Sequence, residues 1–98
     1  MKNRDITIGI SAYNEAPTIG SVVTSIREKG YENIVVLDDG SRDSTAEKAR
    51  KAGARVLRHL VNGGAGAGIQ TILLLANKEN WPFLLLMDAD GQHSIEHI

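Results

Sequence analysis

The chain has 98 residues, enough to bury one modest core, so a single domain over residues 1–98 is expected. Its net charge of −1 offers no basic face to a phosphate backbone, which excludes nucleic acid as an expected partner. Without cysteine there are no disulfide staples, thiol catalysts or thiolate metal sites, and no apolar run approaches the ~20 residues of a membrane span, so the chain reads as soluble and cytoplasmic.

Ile6, Ile8 and Ile10 alternate with Thr7, Gly9 and Ser11, a period of two that predicts a first strand. Ala12-Tyr13-Asn14-Glu15 follows as a polar loop. Pro17 suits the first turn of a helix, and Ile19, Val22, Val23 and Ile26 recur at helical spacing until Gly30. Ile34-Val35-Val36-Leu37 predicts a second strand leading into Asp38-Asp39-Gly40-Ser41-Arg42-Asp43-Ser44-Thr45. Ser44 and Glu47 have capping-box spacing, and the helix after them shows only Ala46, Ala49 and Ala52 to its neighbours before Gly53. Ala54–Arg58 reads as a third strand whose two arginines suggest a sheet edge.

Asn62 to Gly68 is a glycine-rich loop, and Ile69, Ile72, Leu73 and Ala76 after it predict a third helix. Leu74 and Leu75 widen its apolar stripe, so it expects cover on more than one side. Phe83-Leu84-Leu85-Leu86-Met87 has no polar alternation and suits a strand buried on both faces of a parallel sheet. It stops at Asp88-Ala89-Asp90-Gly91-Gln92-His93, and Ser94 to Ile98 reads as the start of a helix. Strand-helix alternation implies a parallel α/β sheet with helices on both faces. If the first strand lies between the second and fourth, the order is 3-2-1-4, and Glu15, Asp38, Asp39, Asp88 and Asp90 converge on one crevice. Open α/β sheets bind ligands at that end.

Asp is common in loops leaving strands, where it caps helices and makes Asx turns. Two carboxylates one residue apart nevertheless resist joint ionisation unless a cation lies between them, and hard oxygen donors favour Mg²⁺ or Mn²⁺. Phosphate-binding alternatives fit poorly. The spacing from Gly63 to Gly68 is that of a P-loop, but Ile69 and Gln70 stand where Lys and Ser or Thr are needed. A dinucleotide fingerprint from Gly64 and Gly66 meets Ile69 at its third glycine and follows the wrong strand. The acidic residues of a phosphoryl-accepting receiver domain belong after strands 1 and 3, not after 2 and 4.

Four motifs in order, Ile10-Ser11-Ala12-Tyr13-Asn14-Glu15, Val36-Leu37-Asp38-Asp39-Gly40-Ser41 with Asp43 and Thr45, Asn62-x-Gly64-x-Gly66-x-Gly68, and Asp88-Ala89-Asp90-Gly91-Gln92-His93, resemble those of family 2 glycosyltransferases. The closest likeness is to the polyprenyl-phosphate sugar transferases of the dolichyl-phosphate mannose synthase type, and it runs from Ile6 to His93. The resemblance implies a GT-A, Rossmann-like fold and inverting transfer of a sugar from a nucleoside diphosphate. By position, Ala12, Tyr13 and Glu15 hold the nucleoside. Asp38 accepts a hydrogen bond from the base N–H, with Asp39 beside it in the substrate-binding set. Asp88 lies near the ribose or the metal, and Asp90 and Gln92 ligate Mg²⁺ or Mn²⁺ bridging the diphosphate.

Ala65 departs from the Lys or Arg that the family often has between Gly64 and Gly66. The family's catalytic region runs to about twice this length, which exceeds one small domain, so the resemblance makes the chain a truncated, donor-binding N-terminal half that is inactive alone. The general base, the acceptor groove and any membrane anchor are expected beyond Ile98, with membrane contact only through that part or a lipid acceptor. As a fragment the chain is expected to form homo-oligomers. The competing reading is a non-catalytic α/β interaction module that oligomerises. Trp81, before Pro82 and away from the crevice, reads as packing; His93 reads as a solvated loop residue, and Arg42 and Arg58 as surface charges.

Overall fold

The computed structural model describes residues 2–64 and 66–89, with Asp88 described by its backbone alone. A short 3-10 turn, Asn3–Asp5, precedes β1 (Ile6–Ala12), α1 (Ala16–Glu28), β2 (Asn33–Asp39), α2 (Thr45–Ala52), β3 (Arg55–His59), α3 (Ala67–Glu79) and β4 (Phe83–Asp88). The strands form one parallel sheet, as the alternation led us to expect, and their order, β3-β2-β1-β4, is the one assumed from the sequence. The arginine-bearing third strand is an edge.

The period of two in β1 sorts its side chains between two cores. Ile8, Ile10 and Ala12 join Ile34 and Val36 of β2 beneath α1 and α2, whose contributions include Ile19, Val23, Ile26 and Ala49. The other face carries Leu37, Leu84 and Leu86 against Ile72 of α3, with Trp81 packed alongside. Thr7, Gly9 and Ser11 therefore face a helix rather than water, and their small size is what lets α3 lie close. A Cβ on Gly9 would sit 3.0 Å from Ile72 Cγ2, and one on Gly68 would overlap Ser11 Oγ. The far end of α3 is tied to β3 by Arg55, whose Nη1 and Nη2 donate to Glu79 Oε1 and Oε2 at 2.8 and 2.9 Å. Trp81 Nε1 donates to Glu79 Oε1 at 3.0 Å, so its role is the structural one.

Two local expectations change. Ser44 makes no side-chain cap, and the capping box with Glu47 does not form. Asp43 Oδ1 takes the Thr45 N–H at 3.0 Å, a charged acceptor at the positive end of the helix dipole. The apolar girth of α3 is only partly covered among the described residues: Ile72 is fully buried and Leu74 is 71% exposed. The helix expected from Ser94, and Ala65, lie outside the described residues.

Candidate functional site

Parallel register brings three strand ends together. Ala12 of β1 pairs with Asp38 of β2, and Ser11 of β1 pairs with Asp88 of β4, so the backbones of Asp38 and Asp88 flank one strand. Two strand spacings separate them, roughly 10 Å. Tyr13 is 45% exposed above this end of the sheet. Glu15 is half-buried at the N-terminus of α1, and its Oε2 accepts from Thr18 Oγ1 at 2.9 Å. The same hydroxyl lies 3.4 Å from the Ala89 carbonyl, so the first turn of α1 touches the residue that follows β4. Asp90, Gln92 and His93, and the side chain of Asp88, lie outside the described residues. The metal set expected at Asp88, Asp90 and Gln92 therefore stands as an expectation from donor chemistry, since hard carboxylate and amide oxygens suit Mg²⁺ or Mn²⁺.

Successive residues of a strand point to opposite faces, so Asp38 and Asp39 have separate surroundings. Asp38 is fully buried. Its Oδ1 accepts the Ser41 N–H at 2.9 Å, while Oδ2 has no hydrogen-bond partner. Arg58 Nε lies 3.5 Å from that oxygen, near enough for a charge contact and too far for a hydrogen bond. Arg58 Nη2 donates to the Ser41 carbonyl at 2.9 Å. Arg58 is thus half-exposed but bridges β3 to the loop after β2, which corrects its reading as a plain surface charge.

Asp39 is 5% exposed, and its Oδ1 accepts the Gly63 N–H at 2.9 Å and meets His59 Nδ1 at 2.7 Å. Burial would raise its pKa, but the Gly63 N–H and His59 outweigh that effect and hold it below the usual carboxylate range. A carboxylate only accepts, so Nδ1 carries the proton. His59 Nε2 then meets Thr71 Oγ1 on α3 at 2.7 Å, and that hydroxyl lies 3.2 Å from the Ala67 carbonyl of its own helix. The chain of contacts ties β2, β3 and α3 together and anchors the glycine-rich loop. Asn62 Nδ2 adds a bond to the Asp39 carbonyl at 3.3 Å. The loops approach so closely that a Cβ on Gly40, which has φ +76°, would lie 2.5 Å from the backbone of Val61 and Asn62.

His59 and the bridging role of Arg58 escape a strand-by-strand reading, although a signal exists. Val36-Leu37-Asp38-Asp39 lies in register with Val56-Leu57-Arg58-His59, two matched apolar pairs followed by acids opposite bases. A cavity of about 350 Å³ lies at the other end of the sheet, lined by Thr7, Asn33, Arg55, Glu79 and Trp81 among others. Of the charged groups that line it, Arg55 and Glu79 are bound to each other, and Arg4 and Glu32 complete the set. Open α/β sheets bind ligands at the carboxyl ends of their strands, so the acidic end is the better candidate.

The sequence profile described as Glycosyl transferase family 2 matches residues 7–98. The chain belongs to this family. An uncharacterized protein of Methanocaldococcus jannaschii is 41% identical, over 93% of this chain and 38% of the relative. A UDP-N-acetylglucosamine–dolichyl-phosphate N-acetylglucosaminyltransferase of Methanococcus voltae is 30% identical, over 100% of this chain and 46% of the relative. Among solved structures, glucosyl-3-phosphoglycerate synthase from Mycobacterium tuberculosis, in complex with Mn²⁺, UDP-glucose and phosphoglyceric acid, superposes with a TM-score of 0.73 at 29% identity. That match covers 88% of this chain and 33% of the synthase. The sheet is accordingly the GT-A arrangement, and the chain spans less than half the length of each of these family relatives.

Proposed function

We propose that residues 1–98 form the nucleotide-sugar-binding half of an inverting glycosyltransferase catalytic domain, dependent on Mg²⁺ or Mn²⁺ and inactive without its acceptor half. The observation that carries this reading is Asp38: a fully buried carboxylate oxygen with no hydrogen-bond partner, at the sheet end that also holds Asp88. A buried acceptor left open costs about 1–3 kcal/mol, and a ligand N–H recovers it. Uracil, thymine and guanine each present such a ring N–H, whereas adenine and cytosine do not. Arg58, half-exposed and outside hydrogen-bonding distance of Oδ2, is the neighbour that yields to the base.

In this reading Ala12, Tyr13 and Glu15 border the nucleoside, and Asp88 sits at its ribose or at the metal. Asp39 serves the substrate set by holding Gly63. Asp88, Asp90 and Gln92 hold the cation, which when bound offsets the charge of the departing diphosphate. A polyanion meeting this acidic end without a cation is repelled. The acceptor we favour is a polyprenyl phosphate, because the Methanococcus voltae relative is named for dolichyl phosphate; a glycan is the alternative. Such an acceptor places the whole enzyme at the cytoplasmic face of a membrane. Among the described residues no helix is long and apolar enough to cross one.

Calorimetric titration with UDP-, GDP- and dTDP-sugars, with and without Mn²⁺, tests the proposal. Binding is expected only with metal, and Asp38→Asn and Asp90→Ala are each expected to weaken it about tenfold or more. Binding indifferent to metal and to both substitutions would overturn it.

A further inference from the structure

The N-terminus of α1 is capped from a distance. Its N-cap residue, Glu15, contributes no side-chain cap. Three successive N–H groups instead find side chains on the loop after β2 and on the first residue of α2. Asn14 N donates to Ser41 Oγ at 2.8 Å, Glu15 N to Thr45 Oγ1 at 2.9 Å, and Ala16 N to Asp43 Oδ2 at 3.2 Å. One bond returns, from Arg42 N to Asn14 Oδ1 at 3.0 Å. Asn14 has φ +53°, a left-handed conformation that asparagine tolerates and that these bonds on either side hold in place.

The acceptors are themselves fixed. Thr45 is fully buried and Ser41 is 2% exposed. The Thr45 hydroxyl accepts from Glu15 and donates to Asp43 Oδ1, so both of its roles are used. Asp43 takes the Thr45 N–H on Oδ1 and the Ala16 N–H on Oδ2, which places one carboxylate at the first turn of two helices. Both helix dipoles favour a negative charge there. The Thr45 hydroxyl first, and then the backbone N–H groups of Thr45 and Ala16, hold the Asp43 carboxyl below the usual range against the effect of burial.

We propose that Ser41, Asp43 and Thr45 are positioning residues of the donor site, which set the backbone of Asn14–Ala16 and thereby the places of Tyr13 and Glu15 against the nucleoside. The proposal rests on the donor-site reading above. It assigns work to Asp43 and Thr45, which that reading leaves without any. Because the N–H groups of Asn14, Glu15 and Ala16 are spent on these side chains, the nucleoside meets a backbone already set, and the ordering cost of binding is reduced.

The test pairs amide hydrogen exchange at residues 13–16 with calorimetric titration of UDP-glucose and Mn²⁺, on the wild-type chain, Thr45→Val and Thr45→Ser. Valine preserves the buried volume and removes the hydroxyl; serine preserves the hydroxyl. Thr45→Val is expected to speed exchange at Glu15 and Ala16 and to weaken binding, each about tenfold, while Thr45→Ser stays within about twofold of wild type. Wild-type exchange and affinity in Thr45→Val would overturn the proposal. Should that variant not fold, Asp43→Asn replaces it. Its carboxamide turns an N–H₂ toward one of the two helix ends, so the same changes are expected and their absence is equally decisive. Failure of the wild-type chain to bind any nucleotide sugar would overturn the donor-site reading instead, and the exchange measurement alone would then decide whether the stitch sets the loop.

Discussion

Asp38 and Asp39 show how much one residue of offset matters in a strand. The two carboxyls are adjacent in sequence, yet one ends as an open acceptor and the other as an internal tie, because alternate side chains leave opposite faces of the sheet. Asp39 has a depressed pKa in the folded state, so the stability it contributes is complete above the ordinary aspartate value of about 3.9 and is lost as pH falls through its lower folded value. Replacing it by asparagine keeps the shape but reduces two charge-assisted bonds to neutral ones. Asp39→Asn is therefore expected to lose about 1–2 kcal/mol at pH 7. Urea denaturation should show that gap narrowing below about pH 3.9, as the wild-type carboxyl takes up its proton. An equal gap at pH 7 and pH 3 would contradict the role given to the Asp39 charge.

Among the elements, α3 depends on small residues on both sides of its contact with the sheet. Alanine is the better helix former than glycine by about 1 kcal/mol, but at position 68 its Cβ overlaps Ser11 Oγ and lies 3.1 Å from Leu37 Cδ1. Overpacking of that kind costs about 1–3 kcal/mol, so the clash wins. Gly68→Ala should lower stability, and adding Ser11→Gly should restore part of the loss, a non-additivity readable in a double-mutant cycle by denaturant titration. The order of elements was legible because β-branched runs, helical spacing and glycine stops are local signals. Gly53 ends α2 in a left-handed turn as its position suggested. The cap on α2 was misread because Ser44 and Glu47 have the right spacing, while the actual acceptor, Asp43, is held by α1. The stitch to α1 joins residues 27 and 30 positions apart, and only the β1-β2 register brings them within reach.

For the whole molecule, the exposed apolar groups matter more than its charge. Leu60 is 97% exposed, Val61 75% and Leu74 71%, and among the described residues β4 pairs only with β1. A net charge of −1 supplies little repulsion between copies, and open strand edges and apolar patches drive association. Sedimentation of the chain at high concentration is expected to show dimers or larger species, and a clean monomer there would refute this. The carboxylate of Asp43 has a further consequence at this scale. One anion shared between the openings of α1 and α2 links them, so loss of its charge is expected to loosen the first turn of both helices together.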